Sequence, residues 1–189
     1  LRSTKLRGVL SEGMLCSQSE LGLAETSDGI WILPQQTDLG LDVVEALGLR
    51  DIIFDWSILP NRGDCYSVMG MAKEWAAVIP DVSWHNPMSS DADIPTIPTQ
   101  IIQRDPGLCT HFRLYQANSA NWQVPIDMAV RLAYVGYHAI HPVVDLMHYI
   151  MLASGQPLHA YDQACLSDDR WHVQLANQNQ SWLGLDQKT

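Results

Sequence analysis

Five residues between positions 138 and 159 carry side chains able to do chemistry: His138, His141, Asp145, His148 and His159. An imidazole can accept, donate or relay a proton near neutral pH, so His159 is a candidate to form part of a pocket and do acid–base work there. It lies in VVDLMHYIMLASGQPLHAYD, residues 143 to 162, where Pro157 fixes φ near −65° and stiffens the turn. A purely structural role, with a ring nitrogen tied to a backbone carbonyl, competes with that reading. His148 and Asp145 are three apart and share one face of a helix, with His141 just before it and His138 three residues earlier. Imidazole and carboxylate suit zinc, but the spacing matches no HExxH-type pattern, and no metal is expected. Asp145 reads instead as a cap or as the partner of a nearby ring. There is neither a GxSxG elbow nor a glycine-rich phosphate loop, so nucleophilic catalysis and ATP binding by this chain are not expected.

Those residues need elements to hold them. The apolar run before Ser154-Gly155 predicts a helix with a Ser-Gly stop, and YHAI before it an extended lead-in. A further helix is expected from about Pro125, suited to a first helical turn, to Val135, with Gly136 behind it. Upstream, a short helix from Leu41 to Leu47 opens at Asp38 and Gly40 and stops at Gly48. The alternation in IIFDWSI places Ile52, Phe54, Trp56 and Ile58 on one face of a strand. The turn LPNRGD then leads to a helix over about Cys65 to Val78, with Asp64 as its N-cap and Pro80 as its stop. Asn61 and Asp64 therefore read as turn and cap residues, and Arg62 as the partner of an acid or a carbonyl. Strands are also expected in LRGVLSEGML, GIWILP, TQIIQ and LCTHFRLYQ, the last two around Asp105-Pro106-Gly107, and a hairpin in WHVQLANQNQSWLGLD.

The 189 residues, 47% of them hydrophobic, can bury one core or two small ones. Residues 86–98, rich in Pro, Ser and Asp, form the best boundary. The fold expected is α+β, with small mixed pieces at 1–85 and 99–189. No apolar run approaches the ~18 residues of a membrane span, and the opening LRSTKLRGV is expected to lie inside a longer protein. Cys16, Cys65, Cys109 and Cys165 form no CxxC pair and read as reduced cytosolic thiols. Eleven Lys and Arg stand against twenty-one Asp and Glu, a net charge of −10. That balance is poor for counterion release, so nucleic acid is expected to bind weakly.

Three stretches together resemble the β subunit of bacterial phenylalanyl-tRNA synthetase. They are KLRGVLSEGMLCSQSELGL, PNRGDCYSVMGMAKEWAA and VVDLMHYIMLASGQPLHAYD. The family's corresponding patterns are K-x-R-G-x-x-S-E-G-M-L-C-S-x-x-E-L-G-L, T-P-N-R-P-D-C-L-S-V-x-G-x-A-x-E and V-V-D-x-T-N-Y-V-M-L-E-x-G-Q-P-x-H-A-F-D. The resemblance implies the end of an OB-like segment and a small structural domain in residues 1–85, and the start of an editing domain in 99–189. It implies tRNA handling and hydrolysis of mischarged Tyr-tRNA(Phe), with an α subunit as partner in an α2β2 assembly. ATP and Mg would belong to the α-subunit site, leaving this chain without a cofactor and unable to aminoacylate alone.

Departures from the family pattern fall on the pocket. Its T-N pair is Met147 and His148, its Asn-Asn is His141-Pro142, and the Arg of G-x-R-P is His138. C-P-R-Y reads Cys109, Thr110, His111, Phe112, and Gly63 replaces a proline. The resemblance thus makes His159 the catalytic candidate and His138, His141, Met147 and His148 the substrate-facing ones. Asp145, Tyr149, Gly155, Gln156, Pro157, His159 and Asp162 are kept, and most of them hold the turn. Weak editing is expected, and the alternative is a diverged binding or scaffold module that keeps the editing fold.

Overall fold

The computed structural model describes residues 3–33, 35, 37–87, 100–103, 107, 109–110, 112–119, 121–166 and 170–184. It is α+β, with four helices and four short strands among those residues. The chain forms two compact units, one of Leu1–Met88 with Ser119–Ala160 and one of Ser89–Asn118 with Tyr161–Thr189.

The first unit opens with β1 (Thr4–Leu6) and β2 (Val9–Ser11), an antiparallel pair pairing Leu6 with Val9. Arg7 and Gly8 turn the chain with positive φ at both positions, the geometry that matches the strands' twist. Helix α1 (Val43–Ala46) starts at Asp42, whose carboxylate accepts from Val44 N at 2.8 Å. Gly48, at φ +64°, ends it, as its sequence position predicts. Helix α2 (Val68–Val78) follows a 3-10 turn, Gly63–Cys65. Helices α3 (Ile126–Tyr134) and α4 (Pro142–Ser154) follow later, and α4 packs against both α2 and α3. Leu23, Leu47, Cys65, Val130 and Leu132 are the most buried hydrophobic residues.

In the second unit, β3 (Gln100–Gln103) pairs with β4 (Arg170–Val173) in parallel, Ile101 opposite Trp171. Trp171 also meets Tyr161 (4.9 Å between centroids) and Phe112 (6.3 Å).

Several strand expectations are corrected. Among the described residues, IIFDWSI, GIWILP and LCTHFRLYQ form no strand. Among the described residues the tail forms no hairpin: its chain turns at Asn177–Gln180, with Gln180 N donating to Asn177 O, but β4 finds its partner in β3. Alternation marks which face a strand buries, while pairing depends on a distant neighbour that local pattern does not name. Positions 88–98 of the expected 86–98 boundary, Asp105, Pro106 and His111 lie outside the described residues. All four cysteines are free thiols, and no helix among the described residues is long and apolar enough to cross a membrane.

Candidate functional site on helix α4

Helix α4 carries or lies near His138, His141, His148 and His159. Its N-cap is His141, whose ring Nδ1 accepts from Val143 N at 3.3 Å. Pro142 follows at the first helical position, where its missing N–H costs nothing. The helix ends at Gly155, which takes φ +78° and donates its N–H to Met151 O at 2.7 Å. Ser154 Oγ donates to Ile150 O and accepts from Gln156 N, so one hydroxyl steers the chain into Gln156-Pro157.

Asp145 is 3% exposed, and its Oδ1 accepts the Ile140 N–H at 3.0 Å. It therefore fastens the YHAI lead-in to the helix, whose N-cap is His141. His148, one turn on, lies against Tyr137 with ring centroids 4.6 Å apart. The Nδ1 atoms of His148 and His138 and the Tyr134 hydroxyl are buried without a hydrogen-bond partner among the described residues. Met147 is half-buried on the same helix, and His159 and Pro157 are exposed beyond its C-terminal end. At ~1.5 Å per residue, the thirteen residues of α4 put its two ends ~20 Å apart. His141 and His159 thus belong to opposite ends of the helix, with His148 midway.

No metal-type convergence joins His138, His141, Asp145 and His148. Among the described residues, donor atoms of three such side chains come together only at Asp64, Cys65 and Glu74. There Arg62 is the cation: its guanidinium donates to both oxygens of Asp64, at 3.0 and 2.8 Å, and to both of Glu74. The fork matches two carboxylates bidentately, so this corner ties the PNRGD turn to α2. The Arg62 hydrogen bond holds the Asp64 carboxyl down to about 2 and also lowers Glu74, while burial raises the Cys65 thiol. The N-cap of α2 is Ser67, accepting from Gly70 N at 3.0 Å, not Asp64 as its position suggested. Asp64 is engaged by Arg62 instead, and Asn61 stays in the turn.

A cavity of about 310 Å³, unforeseen from the sequence, is lined by Trp122, Val124, Pro125, Met128, Pro142 and Leu146, with Gln123 beside them. None of the five expected substrate-facing or catalytic residues lines it. Its only advance signal was a pair of prolines at helix starts, which reads as capping.

Residues 112–189 match the B3/4 domain family. The phenylalanine–tRNA ligase β subunit of Syntrophus aciditrophicus (strain SB) is 36% identical over 200 residues, 100% of this chain and 24% of that protein. That of Geobacter metallireducens is 39% identical over 189 residues, 98% and 24% respectively. That of Legionella pneumophila (strain Lens) is 40% identical over 175 residues, 86% and 21%. The chain belongs to the phenylalanine–tRNA ligase β-subunit family. It spans about a quarter of the length of the ligase β subunits it matches. Against the family pattern, the changed T-N pair falls on a helix face where His148 turns its ring to Tyr137.

Proposed function

We propose that this chain serves as the part of a phenylalanine–tRNA ligase β chain that handles tRNA and edits Tyr-tRNA(Phe), with weak editing. The observation that supports the reading is the environment of His148: its ring packs on Tyr137 and its Nδ1 is buried with no partner among the described residues, which favours a space-filling role over contact with substrate. Met147 beside it offers no hydrogen bond at all. Rejecting tyrosine needs a polar contact to its hydroxyl, and ester hydrolysis needs donors aimed at the oxyanion, each worth ~10²–10³ in rate. The rest of the proposal follows the family: an α-subunit partner in an α2β2 cytoplasmic assembly, with ATP and Mg handled there. A non-catalytic scaffold is the second reading, favoured by the cavity's lining, which includes none of the expected pocket residues.

The test is deacylation of preformed Tyr-tRNA(Phe). The chain, and a ligase β chain carrying it, should act near the uncatalysed rate, and His159→Ala should change nothing. Met147→Thr with His148→Asn in the longer chain should raise the rate by ~10² if the frame is otherwise sound. No rise in that double variant would favour the scaffold. Fast deacylation by the unmodified chain, abolished by His159→Ala, would overturn weak editing.

A further inference from the structure

The cavity of about 310 Å³ lies where α3 and α4 begin, within the first unit. Trp122 N donates to Ser119 O at 3.1 Å, and that turn sets the indole on the cavity wall, where it is 39% exposed. Pro125, at φ −56° and ψ 142°, leads the chain into α3, and Met128 lies in the first turn of that helix. Opposite them Pro142 opens α4, and Leu146 follows one turn later on the same face. The two pyrrolidine rings are rigid and cannot turn inward to fill the space.

Size, charge and shape of the walls select what fits. An apolar cavity of ~150 Å³ stays dry and takes benzene, so about 310 Å³ suits a ring system of roughly twice that size. Among the described residues the lining holds no charged side chain, and an ion placed there loses its hydration without a partner. A flat aromatic face can stack on or meet edge-on the ring of Trp122, and the Met128 thioether adds a favourable sulfur–aromatic contact. Gln123, beside them, has a side-chain carbonyl able to accept one N–H. We propose that this cavity is a binding site for a neutral bicyclic aromatic molecule of the indole type. None of the residues assigned to editing lines it, so this site and the deacylation experiment stand or fall separately.

The probe is indole itself, titrated against the 189-residue chain and against a ligase β chain carrying it, with the methionine methyl groups labelled for NMR. Of the seven methionines, Met128 should shift furthest, saturating with a dissociation constant on the order of 0.1–1 mM, as suits a ligand of so few atoms. Indole-3-carboxylate should bind about tenfold more weakly, because its charge meets uncharged walls. Leu146→Phe and, separately, Val124→Phe place a ring in the cavity, and each should weaken indole binding by about tenfold or more. Either of the two serves, provided the remaining methyl spectrum shows the fold kept. Gln123→Leu should cost only about threefold, the worth of one modest hydrogen bond. Equal, unsaturated shifts at all the methionines would mean surface adsorption and would overturn the proposal. So would undiminished binding in a folded filled variant, or binding by the 189-residue chain that is lost in the longer β chain, where the rest of the protein then takes the space.

Discussion

Arg62 is the side chain whose chemistry is most completely defined. It holds two carboxylates at once, and its hydrogen bonds lower both Asp64 and Glu74. An aspartate ordinarily titrates near ~3.9, against about 2 for Asp64 in the folded chain. Over that window the unfolded state binds more protons, so stability is full above pH ~4 and falls as pH drops towards ~2. Urea midpoints at pH 5, 4, 3 and 2 should show that fall, and Arg62→Met should flatten it. Asp145 makes a second point at this scale. Asp145→Ala leaves the Ile140 N–H without its acceptor and should cost ~1–3 kcal/mol, with Asp145→Asn costing less. His148→Asn should lose the ring contact with Tyr137, ~0.5–1.5 kcal/mol, and by itself restore no deacylation. For Arg62 the sequence left an acid or a carbonyl as partner and placed Asp64 at the helix cap, so the pairing with Asp64 and with Glu74, twelve residues on, came from the structure. The packing of the half-buried His148 ring on Tyr137 was not legible either, because a polar side chain at helical spacing does not announce which face it takes.

Among the elements, the helices were readable and the sheets were not. Pro125, Gly136, Gly155 and Gly48 stop or start helices through their own backbone preferences, which operate within a few residues. The α2 cap went to Ser67 rather than Asp64 because Arg62 claims the carboxylate first. Two glycines separate backbone strain from contact. A Cβ at Gly48 meets nothing within 4 Å, whereas one at Gly155 would stand 3.3 Å from Ser67 Cβ. Both have positive φ, which costs ~1–2 kcal/mol for a side chain. Gly155→Ala should therefore lower the unfolding free energy by more than Gly48→Ala does, read from denaturant midpoints. A Cβ on Gly70 would fall 1.9 Å from Asp64 O, so Gly70→Ala must displace the turn itself and should be the most damaging of the three. Pairing of β3 with β4 spans nearly seventy residues of sequence, and no local signal could have reported it.

At the scale of the molecule, charge governs tRNA. With a net charge of −10, the chain gains little from releasing counterions, and fluorescence titration with tRNA(Phe) at physiological salt should not saturate below ~10 µM, in the weak nonspecific range. Tight, sequence-selective saturation would point to a local basic groove. The α+β class and the family were legible from three motifs in order; the discontinuous make-up of the first unit was not, since sequence order hides which helices meet. Ser67 and Tyr66 at the start of α2 stand against Gly155 at the end of α4, although some ninety residues separate them in the chain. That contact works as a clasp. A protease site introduced among residues 89–118 should yield two fragments that still migrate as one particle in native gel filtration, because α2 and α4 lie on opposite sides of the cut. Denaturant should part them, and mixing the separated halves should rebuild the first unit, which would make the chain a natural split-protein reporter.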